Sequence, residues 1–207
     1  MSSTITKLNA PVTQAFDSQP SSDLQISVTP TINAQTQRLA DFDTLIEALE
    51  YAAKGTTGYN FHDARGKLRS VLPYRVLRQK ARLSAQRLSG FGLVRGSRVA
   101  IIADTSPEFI ELFFACRYAG LVPFAMPVPV NLGSHAMYVQ QLRAMLNSGQ
   151  ANIALANLDY VNFLEEAAKE MTGIKWVGTP EQLAKLPAAN TKPQMNRPDE
   201  TAYLQFT

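Results

Sequence analysis

Val99-Ala-Ile-Ile-Ala103, Asp104-Thr-Ser-Pro-Glu108, Phe109-Ile-Glu-Leu-Phe-Phe-Ala-Cys-Arg-Tyr-Ala-Gly120 and Leu121-Val-Pro-Phe-Ala-Met126 follow one another without a gap. The first run is short and almost wholly apolar, which is how a strand covered on both faces reads. Ser106 is a helix N-cap, Pro107 suits the first helical position and Glu108 the first turn. The helix Glu108–Ala119 carries Phe109, Ile110, Leu112, Phe113, Phe114, Cys116 and Tyr118, so it is apolar nearly all round and predicts deep burial. Gly120 stops it, and Val122–Met126 is the next strand, broken by Pro127 and Pro129. Strand, helix and strand at this spacing form a βαβ unit on a parallel sheet, with a right-handed crossover.

The alternation continues downstream. A helix over 135–148 places Val139, Leu142 and Leu146 on one face, and Ile153–Ala156 is a strand. A helix over 158–171 turns Val161, Leu164, Ala168 and Met171 inward, and Ile174–Val177 is a further strand. Upstream, Phe42, Leu45, Ile46, Leu49 and Ala53 recur at helical spacing behind Asp41 as N-cap, and Gly55 and Gly58 end that helix. Tyr59–Asp63 and Leu68–Leu72 read as two strands joined by the turn-like Ala64-Arg-Gly-Lys67. Tyr74, Leu77, Ala81, Ala85 and Leu88 then mark a helix that ends at Gly90 and Gly92. The fold class is α/β, a parallel sheet with flanking helices plus a small β-hairpin.

Residues 1–37, rich in Ser, Thr, Gln, Asn and Pro, are expected to be a mobile leader whose one ordered candidate is Leu24–Val28. The α/β subdomain is expected over 38–186, a linker over 187–200, and a strand over 201–207.

Composition excludes several classes. Of 207 residues, 45% are hydrophobic and 18% charged, which is ordinary for a globular chain and not for a disordered or collagen-like one. No apolar run reaches membrane-span length, and the start has no apolar run behind Lys7, so no secretory signal is expected. The single cysteine, Cys116, rules out an internal disulfide and suits the cytoplasm. The net charge of +3 draws on a basic stretch from Lys67 to Arg98. Its basic residues interleave with an apolar helical stripe, so a solvated helix face is expected rather than a nucleic-acid surface.

Familiar catalytic constellations are mostly missing. His62 and His135 are the only histidines, and neither has a second ligand at zinc spacing. Cys116 sits mid-helix among aromatics and reads as a buried, inert thiol. Gly90-Phe-Gly92-Leu-Val-Arg-Gly96 misses the dinucleotide fingerprint in spacing and in context. In open parallel sheets ligands bind beyond the carboxyl ends of strands. The last strand, Ala202–Phe206, ends where the chain does, so a working loop is expected next.

At five places the sequence resembles the N-terminal part of adenylate-forming enzymes, most closely the fatty acyl-AMP ligases. Leu72-Pro-Tyr-Arg-Val-Leu77 is similar to an early L-T-Y-x-E-L signature, with Pro73 and Val76 as departures. Gly92-Leu-Val-Arg-Gly-Ser-Arg-Val-Ala100 resembles G-L-x-x-G-D-R-V-A, with Ser97 in place of Asp. Phe113–Pro123 resembles the family's helix-to-strand passage, and Pro123, Pro127 and Pro129 keep its proline spacing. Ala202-Tyr-Leu-Gln-Phe-Thr207 resembles the lead into a T-S-G-S-T phosphate loop.

The resemblance implies an enzyme that binds ATP, Mg2+ and a fatty acid, forms acyl-AMP and pyrophosphate, and passes the acyl group to an acyl carrier protein. It implies that Thr207 is the first phosphate-loop residue, binding phosphate through its hydroxyl and amide. Met126, Pro127 and Pro129, just past a strand's carboxyl end, are candidates for lining the acyl tunnel. The rest of that loop, the adenine and ribose contacts and the catalytic Lys lie later in the family. This stretch is therefore expected to be a truncated piece of the ligase that adenylates nothing alone, with no catalytic residue and no metal ligand of its own. Alternatives are a piece of an acyl-CoA synthetase, with CoA as acceptor, and a non-enzymatic α/β binding module.

Overall fold

The computed structural model describes residues 38–129 and 134–206. The expected leader, its strand at Leu24–Val28, and Thr207 lie outside the described residues. The chain opens with α1 (Leu45–Ala52), a hairpin of β1 (Gly58–His62) and β2 (Leu68–Pro73), and α2 (Tyr74–Ser89). Then follow β3 (Arg98–Ile102), α3 (Pro107–Tyr118), β4 (Val122–Met126), α4 (His135–Gly149), β5 (Ala151–Leu155), α5 (Leu158–Ala168), β6 (Trp176–Gly178) and α6 (Pro180–Lys185).

The main sheet runs β4-β3-β5-β6 and is wholly parallel. Side-chain alternation along β3 divides the core in two. Val99 and Ile101 face α1, α2 and α3, whereas Ala100 and Ile102 face α4 and α5. The chain passes from β3 to β4 on one side and then to β5 on the other. β3 is therefore the strand about which the order reverses, and its carboxyl end opens a crevice of the kind where α/β proteins bind ligands.

Local chemistry accounts for the elements. Ser106 accepts from the Phe109 amide at 3.2 Å and Pro107 opens α3, as the sequence predicts. At α1 the cap is Thr44, not Asp41: Thr44 Oγ1 accepts from the Glu47 amide at 3.2 Å, while Asp41 is engaged by Arg38 at 2.7 Å. Gly58 does not end that helix but starts β1, paired with Pro73. α6 is unanticipated and carries a full capping box between Thr179 and Gln182.

Two further expectations change. The expected strand 202–206 forms only one bridge, Leu204 parallel to Phe124, with the Leu204 amide donating to Pro123 O at 3.0 Å. The helix α3 is buried at Leu112, Ala115, Cys116, Arg117 and Tyr118, but Phe109, Ile110, Phe113 and Phe114 are only half-buried. Its first half both packs on the core, through Leu112, Phe109, Ile110 and Phe114, and lines a groove. The basic helix α2 carries structural ties: Arg78 Nε meets Glu50 at 2.6 Å and Lys80 Nζ meets Glu111 at 3.7 Å.

Candidate functional site

The four parallel strands end side by side at the carboxyl edge. A polar knot ties two of their exits together. Ser106 Oγ donates to Asp104 Oδ1 at 2.6 Å, and Asn157 Nδ2 donates to Asp104 Oδ2 and, at 3.2 Å, to Ser106 Oγ. Asn157 is the N-cap of α5, yet its side chain is spent across the sheet rather than on its own helix. The β4 exit is held separately. The Ala103 amide donates to Met126 O at 2.8 Å, and Tyr138 Oη donates to Pro127 O at 2.9 Å. These bonds fix Met126 and Pro127 at the mouth of the crevice.

Beside them lies an open groove of about 850 Å3. Phe109, Phe113 and Phe114 of α3 form one wall, Gln141, Ala144 and Met145 of α4 another, and Ala125 to Pro127 lie between. Residues 203–206 complete the lining. Phe113 meets Tyr203 with ring centroids 5.9 Å apart, and Phe124 meets Phe206 edge-on at 5.7 Å. The lining is aromatic and aliphatic with almost no charge, suited to a hydrocarbon chain.

Of the tunnel candidates, Met126 and Pro127 line the groove, and Pro129 is not among its lining residues. Thr207 lies outside the described residues, as does the segment 130–133 that follows Pro129. The groove's main walls, on α3 and α4, were not foreseen. The signal lay in α3 itself, whose apolar residues exceed what one buried face needs.

Cys116 and His135 are not among the groove's lining residues. Cys116 is fully buried, and burial pushes its thiol up to about 12, so it is not a nucleophile. His135 Nε2 lies 2.6 Å from Glu166 Oε2 and its ring stacks on Phe163 at 4.8 Å. Among the described residues no group of three or more His, Cys, Asp or Glu is placed to hold a metal ion. No described helix is long and apolar enough to cross a membrane.

Comparison with known proteins bears on this geometry. Residues 54–207 match the family of AMP-binding enzymes. Over 185 residues the chain is 38% identical to a Caulobacter vibrioides protein named "Putative acyl-CoA synthetase", covering 88% of this chain and 32% of that protein. Over 176 residues it is 31% identical to the medium-chain-fatty-acid–[acyl-carrier-protein] ligase JamA of Moorena producens, covering 81% of this chain and 29% of that protein. The chain thus spans about a third of the length of these curated relatives. A solved structure from a study of fatty acyl-adenylate ligases of E. coli and L. pneumophila superposes with a TM-score of 0.77 at 35% identity, over 81% of this chain and 30% of that one. By its family match, its relatives and its fold, the chain belongs to the AMP-binding, adenylate-forming enzymes.

Proposed function

We propose that this chain is the N-terminal portion of a ligase that activates fatty acids with ATP and transfers them to an acyl carrier protein, acting in the cytoplasm. The observation that carries the reading is the apolar groove at the carboxyl edge, walled by Phe109, Phe113 and Met145. Its lining includes the run Tyr203–Phe206, which we propose leads directly into the phosphate loop. A fatty acid would lay its chain there and present its carboxylate toward that loop. The carboxylate oxygen attacks the α-phosphorus of ATP, the bond to pyrophosphate breaks, and acyl-AMP forms. A pantetheine thiol then takes the acyl group and releases AMP.

We assign no Mg2+ ligand among the described residues. Met126 and Pro127 are proposed as groove residues, and Thr207 as the first phosphate-binding residue. The name of the Moorena relative supports a carrier protein as acceptor. The name of the Caulobacter relative supports a second reading, in which coenzyme A is the acceptor.

The test is to isolate the native polypeptide and supply ATP, Mg2+, a fatty-acid series and either carrier protein or coenzyme A. Acyl-AMP by mass spectrometry, followed by an acylated carrier, supports the first reading. Acyl-CoA supports the second. Neither AMP nor pyrophosphate formation with any acid overturns both.

A further inference from the structure

Arg117 is 3% exposed, and among the described residues no carboxylate lies within ion-pair distance of it. A buried guanidinium is costly to keep unless its bonds do something specific. Its Nη1 donates to two carbonyls, Leu121 O at 3.1 Å and Thr201 O at 3.0 Å. Leu121 leads into β4, and Thr201 leads into the run that bridges β4 through Leu204. One cation therefore ties the entrances of two neighbouring extended segments together.

A second tie stands beside it. Arg95 grips Glu200 with Nε at 2.5 Å and Nη2 at 2.7 Å, and Nη2 also reaches Met195 O at 2.8 Å. The Gln194 amide donates to Tyr118 O at 2.7 Å. Gly120, at φ +70, leaves room for this arrangement, since a Cβ there would stand 3.2 Å from Arg95 Nη1 and 3.3 Å from Gln194 Oε1. Beyond Thr201, the described backbone bond that holds the run is the Leu204 amide to Pro123 O. One such bond does not fix a chain direction by itself.

We infer that Arg117 is a positioning residue: its bond to Thr201, backed by the Arg95–Glu200 pair, sets the line along which residues 202–206 run beside β4. Its consequence for catalysis rests on the ligase reading above, because Tyr203–Phe206 line the groove there and lead to the phosphate loop. The anchoring itself does not depend on that reading.

The test is hydrogen exchange of the peptide covering 202–206 in the 207-residue chain. Arg117→Met and Glu200→Gln are compared with Arg143→Gln, which removes an arginine bonded instead to the Ala167 and Glu166 carbonyls. The first two variants are expected to speed exchange at Leu204 about tenfold or more, the scale of one charge-assisted hydrogen bond, and the third to leave it unchanged. Glu200→Gln carries the test should Arg117→Met fail to fold. Exchange at 202–206 within about twofold of wild type in whichever variant folds overturns the inference. In the complete ligase, the same variants raise KM for the fatty acid about tenfold, whereas loss of folded enzyme lowers kcat and leaves KM unmoved. A wild-type ligase that forms no acyl-AMP contradicts the proposed function and leaves the exchange result standing.

Discussion

The ring of Phe124 occupies the space over the Cα of Gly149, so close that a Cβ there would stand 2.5 Å from Cζ and 2.9 Å from both Cε atoms. Phe124 is 1% exposed, bridges Leu204 and meets Phe206, so its ring has no free direction in which to move. Gly149→Ala is expected to destabilise the chain by about 1–3 kcal/mol through overpacking. The helix-propensity gain of about 1 kcal/mol at this last residue of α4 offsets only part of that. The midpoint of urea unfolding checks the sign, which propensity alone would reverse.

Tyr118 links α3 to α1. Its hydroxyl donates to Glu50 Oε1 at 2.6 Å, and Arg78 holds the other carboxylate oxygen. Burial and the neighbouring carboxylate push the phenol upward, so it stays a donor at neutral pH. Tyr118→Phe is expected to cost about 1–2 kcal/mol, the range for a bond to a charged acceptor with partial solvent access. Burial works to raise the Glu50 carboxyl, but Tyr118 and Arg78 outweigh it and hold it below its usual range. Its contribution is complete above the unfolded carboxyl value of about 4.3 and fades as pH falls. The variant should therefore also show a shallower acid-side loss of stability than wild type.

Glu200 is held down to about 2 by Arg95 first, and then by the Arg197 amide at 3.0 Å. A carboxyl lowered on folding stabilises above its unfolded value and stops doing so as pH drops through its folded value. The segment 194–201 should thus stay anchored at pH 5 and loosen between about pH 4 and pH 2. Limited acid proteolysis with pepsin, which works in that window, should cut first near Met195 while the sheet remains intact. Uniform cutting across the chain would contradict this.

Phe113 stands in the groove wall, half-buried and against Tyr203. Phe113→Ala removes apolar contact surface from the proposed acyl site at small cost to the core. Fatty-acid affinity is expected to fall by about 1–3 kcal/mol, roughly fivefold to 150-fold, measured by calorimetry. A comparable cut at Val94, which is 76% exposed and away from the groove, should leave affinity unchanged.

Much of this fold is legible in residue order because its signals are periodic. The runs at 99–103 and 122–126 and the Ser106-Pro107 start between them predict β3, α3 and β4 to within a residue. Short elements were less visible: α6 has six residues and too few turns to show a period, though its Thr179-to-Gln182 capping box was there to read. Periodicity also cannot separate a helix face that meets core from one that meets a groove. Phe109 and Phe113 therefore read as buried, although they are groove wall. The strand expected at 202–206 has β propensity, but it lies beyond the edge strand β4, and only Leu204 pairs. At the site, Met126 and Pro127 follow from the rule that ligands gather at carboxyl ends of strands. Arg117 and the Arg95–Glu200 pair are separated by many residues from what they bind, and no local pattern announces them.

Whether the groove receives the acyl chain is read most directly with a photoreactive fatty acid, cross-linked to the native polypeptide in the presence of ATP and mapped by mass spectrometry. Adducts are expected on α3 at Phe109 or Phe113 and on α4 at Met145, competed away by unlabelled fatty acid. Adducts confined to other surfaces, or insensitive to competition, would show that the groove does not receive the acyl chain.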